Sequence, residues 1–308
     1  MDQLVSVVIP TFERPKLLAQ ALRSVCNQTY RNLEILIVDD GLCDVSEALC
    51  LNVADSRIHY MRTRGRQGGN AARNIGLQLC KGDFVAFLDD DDEWYPRKIE
   101  AQVRVFNANT SLGLVYTGVE FINSQGVSHK TYPTRRGDLS GSILSYNYIG
   151  TTSSVMVAAK AIVKVGPFDE ALPQLQDYDL WIRVCQRYNV DYVSDVMVRY
   201  RLHENKKQIS NSVANNLYAI QRIDDKYEEL INKLPRYQRR WRFSLRYNSM
   251  GKRNLYVGNS RSARRLFIKG FVHFPNLESG KFFLASFLGY KASTSLRTLA
   301  QRFKGAKH

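Results

Sequence analysis

Short apolar runs alternate with helix-like patterns through about the first ninety residues of the chain. β-Branched and aliphatic residues dominate the apolar runs, and runs of this kind predict buried strands. Between the first two runs, Leu18, Leu22 and Val25 recur at helical spacing behind Pro15, which can open a helix. The pattern predicts strands at residues 4–11, 33–38, 58–60 and 83–88.

A helix is expected at residues 46–54 and another behind the glycine-rich turn at 68–69. Strands that alternate with helices form a largely parallel sheet that is covered on both faces. Such sheets bind ligands at the carboxyl ends of their strands. Asp39 and Asp40 end one predicted strand and Asp89 to Asp92 follow another. We therefore expect these aspartates to lie near one another at one edge of the sheet.

The second half of the chain continues the pattern, with strands near 113–121, 153–158 and 190–201. A helix is expected around Asp179 to Tyr188, and after about residue 212 the chain changes to helices rich in Arg and Lys. These elements predict an α/β fold with a Rossmann-like, mostly parallel sheet flanked by helices. We place one domain at 1–211 and a basic helical C-terminal region at 212–308.

Charge is unevenly distributed along the 308 residues, whose net charge is +15. Residues 199–308 hold 24 Lys and Arg but only 6 Asp and Glu, a net of +18, whereas the first 198 residues have a net of −3. A strongly basic region favours a polyanionic partner, which is a nucleic acid, an anionic lipid or a phosphorylated substrate.

Composition excludes several classes of protein. Hydrophobic residues make up 44% and charged residues 24% of the chain, which is typical of a globular protein and not of a disordered or collagen-like one. No run of 18 apolar residues predicts a membrane-spanning helix, and the N-terminus does not read as a secretory signal. The five cysteines are scattered and form no CxxC pair, so we expect neither a disulfide framework nor a zinc cluster.

Four consecutive aspartates, Asp89 to Asp92, need a cationic partner because adjacent carboxylates repel one another. A divalent metal suits them, since Mg²⁺ is usually held by one or two carboxylates together with substrate phosphates. The alternative is that they cap the helix expected just after Tyr95-Pro96, a role that explains Asp92 but not all four.

A second acidic pair, Asp177 and Asp179, precedes the next predicted helix. One of them can cap the helix while the other points into a cleft as a general base. The sequence contains no GxxxxGK[ST], GxGxxG, GxSxG or HExxH motif, which excludes P-loop, dinucleotide-binding, nucleophile-elbow and zincin sites of the usual kind.

Several segments, taken together, resemble family 2 of the glycosyltransferases, which have the GT-A nucleotide-sugar fold. They follow one another in the family's order and spacing over about residues 4–210. The segments are Val5-Ser6-Val7-Val8-Ile9-Pro10-Thr11, Gln28-Thr29-Tyr30, Val38-Asp39-Asp40-Gly41, Ala72-Arg73-Asn74-Ile75-Gly76, Phe87-Leu88-Asp89-Asp90-Asp91-Asp92, Gly166-Pro167-Phe168-Asp169-Glu170 and Asp177-Tyr178-Asp179-Leu180-Trp181.

The resemblance implies a nucleotide-binding set that consists of Pro10, Thr11, Glu13, Asp40, Arg73, Asp89 and Asp90. Within this set, Asp40 would accept a hydrogen bond from the imide of a uracil. Arg73 would lie near the base or the diphosphate, where a guanidinium can bind phosphate oxygens.

The resemblance also implies a divalent metal, Mn²⁺ or Mg²⁺. Asp89 and Asp91 resemble a DxD pair, in which Asp91 is a direct metal ligand and Asp89 lies near the ribose or the metal. His203 is similar to a histidine that approaches the metal or the diphosphate; the alternative is an ordinary loop histidine. Asp177 resembles the general base. One carboxylate base without a second nucleophile suits a single in-line displacement with inversion.

These expectations describe an inverting, metal-dependent glycosyltransferase. It would move a sugar from a nucleotide-sugar donor, taken to be a UDP-sugar, to a glycan or lipid-linked acceptor in cell-surface polysaccharide synthesis. Two alternatives remain open at this point. One is a non-catalytic GT-A module that binds nucleotides or carbohydrates, and the other is a basic nucleic-acid-binding protein. The basic region has no nucleic-acid-binding signature, so we expect no nucleic-acid partner.

The basic C-terminal region suits contact with an acceptor at an anionic membrane surface. Its alternatives are oligomer contacts and an ordinary helical cap whose aromatic residues pack on the catalytic domain. The segment expected at the membrane contains Phe282, Phe283, Phe287, Leu288 and Tyr290, flanked by Lys281, Lys291 and Arg297. We accordingly expect a cytoplasmic protein that associates peripherally with the inner face of the cell membrane.

Overall fold

A computed structural model describes residues 3–41, 44–203 and 212–287. The chain divides into two compact units. The first unit comprises residues 1–143 and 147–206, and the second comprises residues 144–146 and 207–308.

The first unit contains the strands of the fold and seven of the helices that the structure describes. The strands are β1 (Val5–Thr11), β2 (Leu33–Asp39), β3 (Ile58–Arg62), β4 (Phe84–Phe87), β5 (Glu93–Trp94), β6 (Leu112–Asn123), β7 (Gly126–Thr131), β8 (Val155–Ala158) and β9 (Asn189–Arg201). The helices are α1 (Pro15–Cys26), α2 (Asp44–Asn52), α3 (Gly69–Leu79), α4 (Lys98–Ala108), α5 (Ser140–Ile143), α6 (Ala159–Val165) and α7 (Gln176–Cys185), and a 3₁₀ turn covers Thr152–Ser154.

The strands form one sheet in the order β3-β2-β1-β4-β8-β6-β9-β5, with β7 paired to β6. Strands β3, β2, β1 and β4 are parallel, which is the Rossmann-like part of the sheet. β8 then runs antiparallel to both β4 and β6, while β6 and β9 are parallel. The predicted α/β fold is confirmed, and its sheet contains antiparallel pairs in addition to the parallel ones.

The parallel part of the sheet follows directly from the apolar pattern. All seven residues of β1 and all seven of β2 are buried. On α1, the stripe of Leu18, Ala21, Leu22 and Val25 is buried. Helix α3 packs closely on β1 at Gly76, where a Cβ atom would lie 2.5 Å from the Cγ1 atom of Val8. This close contact fixes the helix that carries Arg73 one turn earlier.

The second unit consists of helices in the part of the chain that the structure describes. They are α8 (Val213–Lys226), α9 (Glu228–Lys233), α10 (Arg236–Tyr256) and α11 (Ser260–His273), followed by helical residues 277–287. Leu255, Ala263 and Phe267 form their small core, on which Phe282 and Phe283 pack. The predicted basic helical region is therefore confirmed for these residues.

Part of the segment expected at the membrane, namely Leu288, Tyr290, Lys291 and Arg297, lies outside the described residues. Within the described ranges, every helix is too short or too polar to cross a bilayer.

Candidate active site

The predicted edge of the sheet forms where β1, β2 and β4 end. Thr11, the last residue of β1, connects the two acidic segments: its carbonyl oxygen accepts a hydrogen bond from the backbone N–H of Asp40 at 2.9 Å. Its hydroxyl donates to Oδ2 of Asp90 at 2.8 Å. The structure thus brings the acidic ends of β2 and β4 together through the strand that lies between them.

Basic side chains surround three of the four consecutive aspartates. Arg73 pairs with Asp89, with Nη2 at 2.5 Å from Oδ1. Arg14 contacts Oδ2 of Asp91 at 3.1 Å, and Nε2 of His203 lies 2.8 Å from the same oxygen. Arg14 also reaches Asp90, at 3.4 Å. The repulsion within the run is therefore opposed by the guanidinium groups of Arg14 and Arg73, and His203 is a further hydrogen-bond partner.

Asp90 and Asp92 are the buried members of the run, with 6% and 1% of their surface exposed. Burial, together with the neighbouring carboxylates, raises the pKa of Asp90 to about 6. Burial and the charges of Asp89 and Asp91 likewise raise the pKa of Asp92 well above its ordinary value. The two carboxyls that point inward thus hold protons more tightly than an exposed aspartate.

Asp92 does not cap a helix, in contrast to the alternative interpretation of the run. Helix α4 begins at Lys98 behind Arg97, whose side chain makes no capping hydrogen bond. Oδ2 of Asp92 instead accepts a hydrogen bond from the hydroxyl of Ser153 at 2.6 Å, and Oδ1 accepts one from the backbone N–H of Arg201 at 3.1 Å. Asp92 therefore joins the acidic run to β9.

Ser153 holds both ends of the acidic run. Its hydroxyl accepts a hydrogen bond from the backbone N–H of Asp89 at 3.1 Å while it donates to Asp92. Its carbonyl oxygen accepts from Nε1 of Trp94 at 2.8 Å. A single buried serine in the 3₁₀ turn before β8 thus fixes the backbone path between Asp89 and Asp92.

Asp177 is half-buried in the first turn of α7. Burial raises the pKa of its carboxyl to about 6, with the Arg73 guanidinium opposing this shift and the Asp89 carboxylate adding to it. Both neighbours belong to the acidic edge, so Asp177 faces that edge. The helix begins behind Leu175, which has a left-handed φ of 59° that is unusual for a side chain of this type.

Asp179, the other member of the second acidic pair, has a structural role. It is completely buried, and Arg183 pairs with its Oδ2 through Nη2 at 2.9 Å. The same guanidinium donates to the carbonyl oxygens of Val165 and Gly166. Asp179 therefore anchors α7 and leaves Asp177 as the acidic group that faces the edge.

Asp40 shapes the glycine-rich loop before α3. Its carboxylate accepts hydrogen bonds from the hydroxyl of Thr63 and from the backbone N–H groups of Gln67 and Gly68, at 2.8, 2.8 and 2.6 Å. A carboxylate has about four acceptor positions, so about one of them remains for a ligand. The assignment of Asp40 to a uracil imide stays a prediction.

The remaining members of the nucleotide-binding set lie at the same edge. Pro10 is buried within β1, and Glu13 is exposed just beyond it. Glu13 has a φ of 52° and packs against Gly41, where a Cβ atom would lie 3.2 Å from its Cγ atom. Arg73 keeps its buried Nε without a hydrogen-bond partner among the residues that the structure describes. That unused donor suits an anionic ligand.

Among the described residues, no three His, Cys, Asp or Glu side chains are grouped closely enough to bind a metal ion by themselves. Asp91 and His203 are brought together, since 2.8 Å separates their contacting atoms, whereas Asp89 is engaged by Arg73. One carboxylate and one imidazole suit Mn²⁺, and substrate phosphates often supply the remaining oxygen ligands of such ions. The donor chemistry of this pair therefore fits a metal that binds together with a diphosphate.

Sequence analysis missed three residues that build this edge: Arg14, Ser153 and Arg201. Arg14 follows Glu13 at the end of β1, so its position beside the acidic edge was readable from the strand pattern. Ser153 stands in a polar run just before an apolar strand, but its burial is visible only in the structure. The contact of Arg201 with Asp92 depends on strand order, which the sequence does not display.

Comparison with known proteins identifies relatives of the chain. The family model "Glycosyl transferase family 2" matches residues 6–170. An uncharacterized glycosyltransferase of Rickettsia typhi is 31% identical over 222 residues, which cover 70% of this chain and 68% of the relative. The Escherichia coli UDP-Glc:α-D-GlcNAc-diphosphoundecaprenol β-1,3-glucosyltransferase WfgD is 28% identical over 209 residues, covering 66% of this chain and 79% of that enzyme.

Solved structures share the fold at much lower identity. The mannosyltransferase PcManGT of Pyrobaculum calidifontis, in complex with GDP-Man and Mn²⁺, superposes with a TM-score of 0.60. Its identity is 15%, and the match covers 97% of this chain and 84% of that one. At this level of identity the likeness establishes the GT-A fold.

Replacement of Ser153 by Ala is expected to lower the free energy of unfolding by about 1–3 kcal/mol, because it leaves the buried Asp92 carboxyl and the Asp89 N–H short of a partner. Ser46 provides the matched control. It is equally buried, but its hydroxyl has no hydrogen-bond partner within the described residues, so Ser46→Ala should be nearly neutral. Urea denaturation of the two variants measures both values, and equal losses would contradict the role assigned to Ser153.

Proposed function

The chain belongs to glycosyltransferase family 2, and from this membership we propose that it transfers one sugar from a UDP-sugar to a lipid-linked glycan acceptor with inversion at the anomeric carbon. The proposed catalytic domain is residues 1–211, and the proposed role of residues 212–308 is contact with the acceptor, the membrane surface or another subunit. One observation carries the proposal. Arg73 pairs with Asp89 of the acidic run, and the charges of both side chains act on the half-buried Asp177, which is the arrangement that a diphosphate leaving group and an acceptor hydroxyl require.

The donor site in this proposal uses the ends of β1, β2 and β4. Pro10, Thr11 and Glu13 would line the nucleotide pocket from β1, and Asp40 would accept the hydrogen bond of the uracil imide. The full set proposed to bind the nucleotide is Pro10, Thr11, Glu13, Asp40, Arg73, Asp89 and Asp90. The name of the E. coli relative specifies a UDP-sugar, which supports the choice of uridine. The unused Nε donor of Arg73 supports a phosphate nearby.

Asp91 and His203 would hold a divalent cation, Mn²⁺ or Mg²⁺, with Asp89 close to the ribose or the metal. Such a cation, when bound, supplies positive charge that stabilises the departing nucleoside diphosphate. In the structure Arg14 forms an ion pair with the Asp91 carboxylate, and the Arg14 side chain is 49% exposed. An exposed arginine exchanges partners at little cost, so it can leave Asp91 when donor and metal arrive.

Asp177 would act as the general base. Its raised pKa makes the carboxylate a better proton acceptor than an ordinary aspartate while it remains mostly ionised at neutral pH. The acceptor hydroxyl loses its proton to Asp177 as its oxygen attacks the anomeric carbon, and the bond to the diphosphate breaks on the opposite side. This single displacement needs no covalent intermediate and inverts the configuration.

Association with an anionic membrane would bring the second unit to a lipid-linked acceptor at the inner face of the cell membrane. Described residues 212–287 carry fifteen Lys and Arg against five Asp and Glu. Ile268, Phe271 and Val272 of α11 are exposed beside Arg265 and Lys269, so this helix presents apolar and cationic side chains together. Surfaces of this kind bind the interface of anionic bilayers. The E. coli relative is named for a diphosphoundecaprenol-linked acceptor, which also supports this setting.

Calorimetric titration with UDP, GDP, CDP and dTDP, each with and without Mn²⁺, tests the proposed function. We expect UDP to bind in a Mn²⁺-dependent manner. Asp91→Ala should weaken that binding by at least about 10- to 100-fold, because even the loss of an outer-shell partner of a metal ligand has this effect. Asp44→Ala, at an exposed aspartate of α2, is the matched control. Failure of all four nucleotides to bind would contradict the proposal and favour a module without donor chemistry.

Asp177→Asn is expected to abolish transfer while UDP binding and stability persist. The amide oxygen can still accept the hydrogen bond from the N–H of Tyr178, and the variant no longer places an ionised group in a half-buried position.

In the wild-type protein a base with a pKa of about 6 is protonated and inactive below that pH, so kcat should fall on acidification through about pH 6. Initial rates between pH 5 and pH 8 measure this limb. Appreciable turnover by Asp177→Asn would show that another group is the base.

Vesicle co-sedimentation tests membrane association. We expect binding to vesicles that contain anionic lipid, and weaker binding as salt screens the charges. The double substitution Ile268→Ser with Phe271→Ser should reduce binding, whereas Leu79→Ser, at an exposed apolar residue of α3, should not. Equal binding to neutral vesicles in high salt would contradict the electrostatic part of the proposal.

A further inference from the structure

Three neighbouring strands in the first unit place two different rows of side chains on opposite faces of the sheet. In the parallel pair of β6 and β9, Glu120 lies opposite Arg199 and Phe121 opposite Tyr200. In the antiparallel pair of β6 and β7, Glu120 lies opposite Lys130 and Phe121 opposite His129. Directly opposed residues share a face and successive residues alternate between faces. One row is therefore charged, and the other, Tyr200-Phe121-His129, is here named the aromatic row.

The side chains of the charged row form ion pairs with one another. The buried carboxylate of Glu120 pairs with Lys130 at 2.9 Å and with Arg199 at 3.4 Å. It also accepts a hydrogen bond from the hydroxyl of Tyr95 at 2.9 Å. These contacts fasten β7, β6 and β9 together from one side. The aromatic row on the opposite face is thus not needed to hold these three strands together.

The rings of the aromatic row are in contact across the strands. The ring centroids of Phe121 and Tyr200 lie 5.2 Å apart at an angle of 49°, and those of Phe121 and His129 lie 4.3 Å apart and nearly parallel at 3°. All six residues of β7 are exposed, including His129. Aromatic side chains that serve only packing are usually covered by the rest of the fold. This row instead ends at His129 on β7, an exposed strand.

The inner end of the aromatic row lies at the acidic edge. Two residues that follow Tyr200 in the chain establish this placement. The backbone N–H of Arg201 donates to Asp92, and Nε2 of His203 lies 2.8 Å from Asp91. Burial raises the pKa of the Tyr200 hydroxyl, and the nearby carboxylates add to the effect. The row therefore runs outward from the acidic run.

The part of the nucleotide-binding set that lies on β1 and β2 and the aromatic row are on different sides of the acidic run. Pro10, Thr11 and Asp40 lie at the ends of β1 and β2, on one side of β4 in the sheet order, whereas β6, β9 and β7 lie on the other. An in-line displacement requires the acceptor to approach from the side opposite the leaving group. The aromatic row lies across the acidic run from the ends of β1 and β2, a position that suits an acceptor.

We propose that the aromatic row Tyr200-Phe121-His129 binds the sugar ring of the acceptor that carries the attacking hydroxyl. The inference rests on the proposed transfer reaction and adds a binding site for its second substrate. Flat aromatic faces bury the C–H face of a pyranose, while the Tyr200 hydroxyl offers a hydrogen bond to a sugar hydroxyl. The contact with the ring faces would hold the sugar so that one hydroxyl points at Asp177.

Two variants test the row without disturbing the donor site. His129→Ala changes an exposed residue that should not be needed for folding, and Phe121→Leu keeps the apolar volume but removes the flat ring. We expect each to raise the KM for the acceptor about tenfold, as the loss of an aromatic contact of this kind suggests. The dissociation constant of UDP with Mn²⁺, measured by calorimetry, should stay at the wild-type value. Phe121→Tyr keeps the flat ring, so its acceptor KM should equal that of the wild-type protein.

Tyr132→Ala is the matched control. Tyr132 is an aromatic residue exposed by 61% that comes immediately after β7. An odd number of positions separates it from His129, so it lies on the opposite face, near Lys130 of the charged row. Its replacement should leave the acceptor KM unchanged. The acceptor probes are α-linked GlcNAc, glucose, galactose and mannose diphosphates on a short alkyl chain, used with the UDP-sugar that wild-type protein accepts.

The outcomes separate the two proposals. If wild-type protein transfers sugar to a probe and both variants keep its acceptor KM, the aromatic row is not the acceptor site although the proposed reaction stands. If the variants lose UDP affinity, the row belongs to the donor site and the inference is again wrong. If wild-type protein binds no nucleotide and modifies no probe, the transfer reaction fails and the inference fails with it.

Discussion

Mutual repulsion among four consecutive carboxylates is the constraint on which the site depends. Asp89 to Asp92 follow a strand whose residues are all buried, so solvent cannot screen them evenly. The structure resolves the repulsion in two ways. Asp89 and Asp91 face cations, whereas Asp90 and Asp92 turn inward and accept hydrogen bonds from hydroxyl and backbone groups. Alternation along the run therefore buries Asp90 and Asp92 and leaves Asp89 and Asp91 more accessible.

This division requires partners from distant parts of the chain. Arg14 comes from the residue just before α1, Arg73 from α3, Ser153 from the turn before β8, and His203 from the segment after β9. The four aspartates therefore reach all of their partners only when the whole sheet is assembled, because each partner comes from a different part of the chain. A buried polar network of this kind is costly when any member is missing, which ties the integrity of the site to that of the fold.

The sequence predicts β1, β2 and β4 well because every residue of these strands is buried and most of them are apolar. It locates β6 and β9 to within two residues but does not reveal that they are neighbours, since pairing between residues about eighty positions apart leaves no local pattern. β7 was missed because Gly126–Thr131 is polar and fully exposed. The acidic residues were identifiable by type and position, whereas Ser153 was not, because a serine acquires its role from what surrounds it.

In the proposed acceptor site, β6 would serve stability on one face and recognition on the other. Glu120 ties its neighbours together on one side, with an ion pair on each adjacent strand. Phe121, the next residue, is on the other side and is released from that task. Because side chains alternate strictly along a strand, a change at Phe121 alters the aromatic row without loosening the ion pairs on the other face. Such a strand allows the residues that contact a substrate to vary while the strands that carry the acidic edge remain fixed.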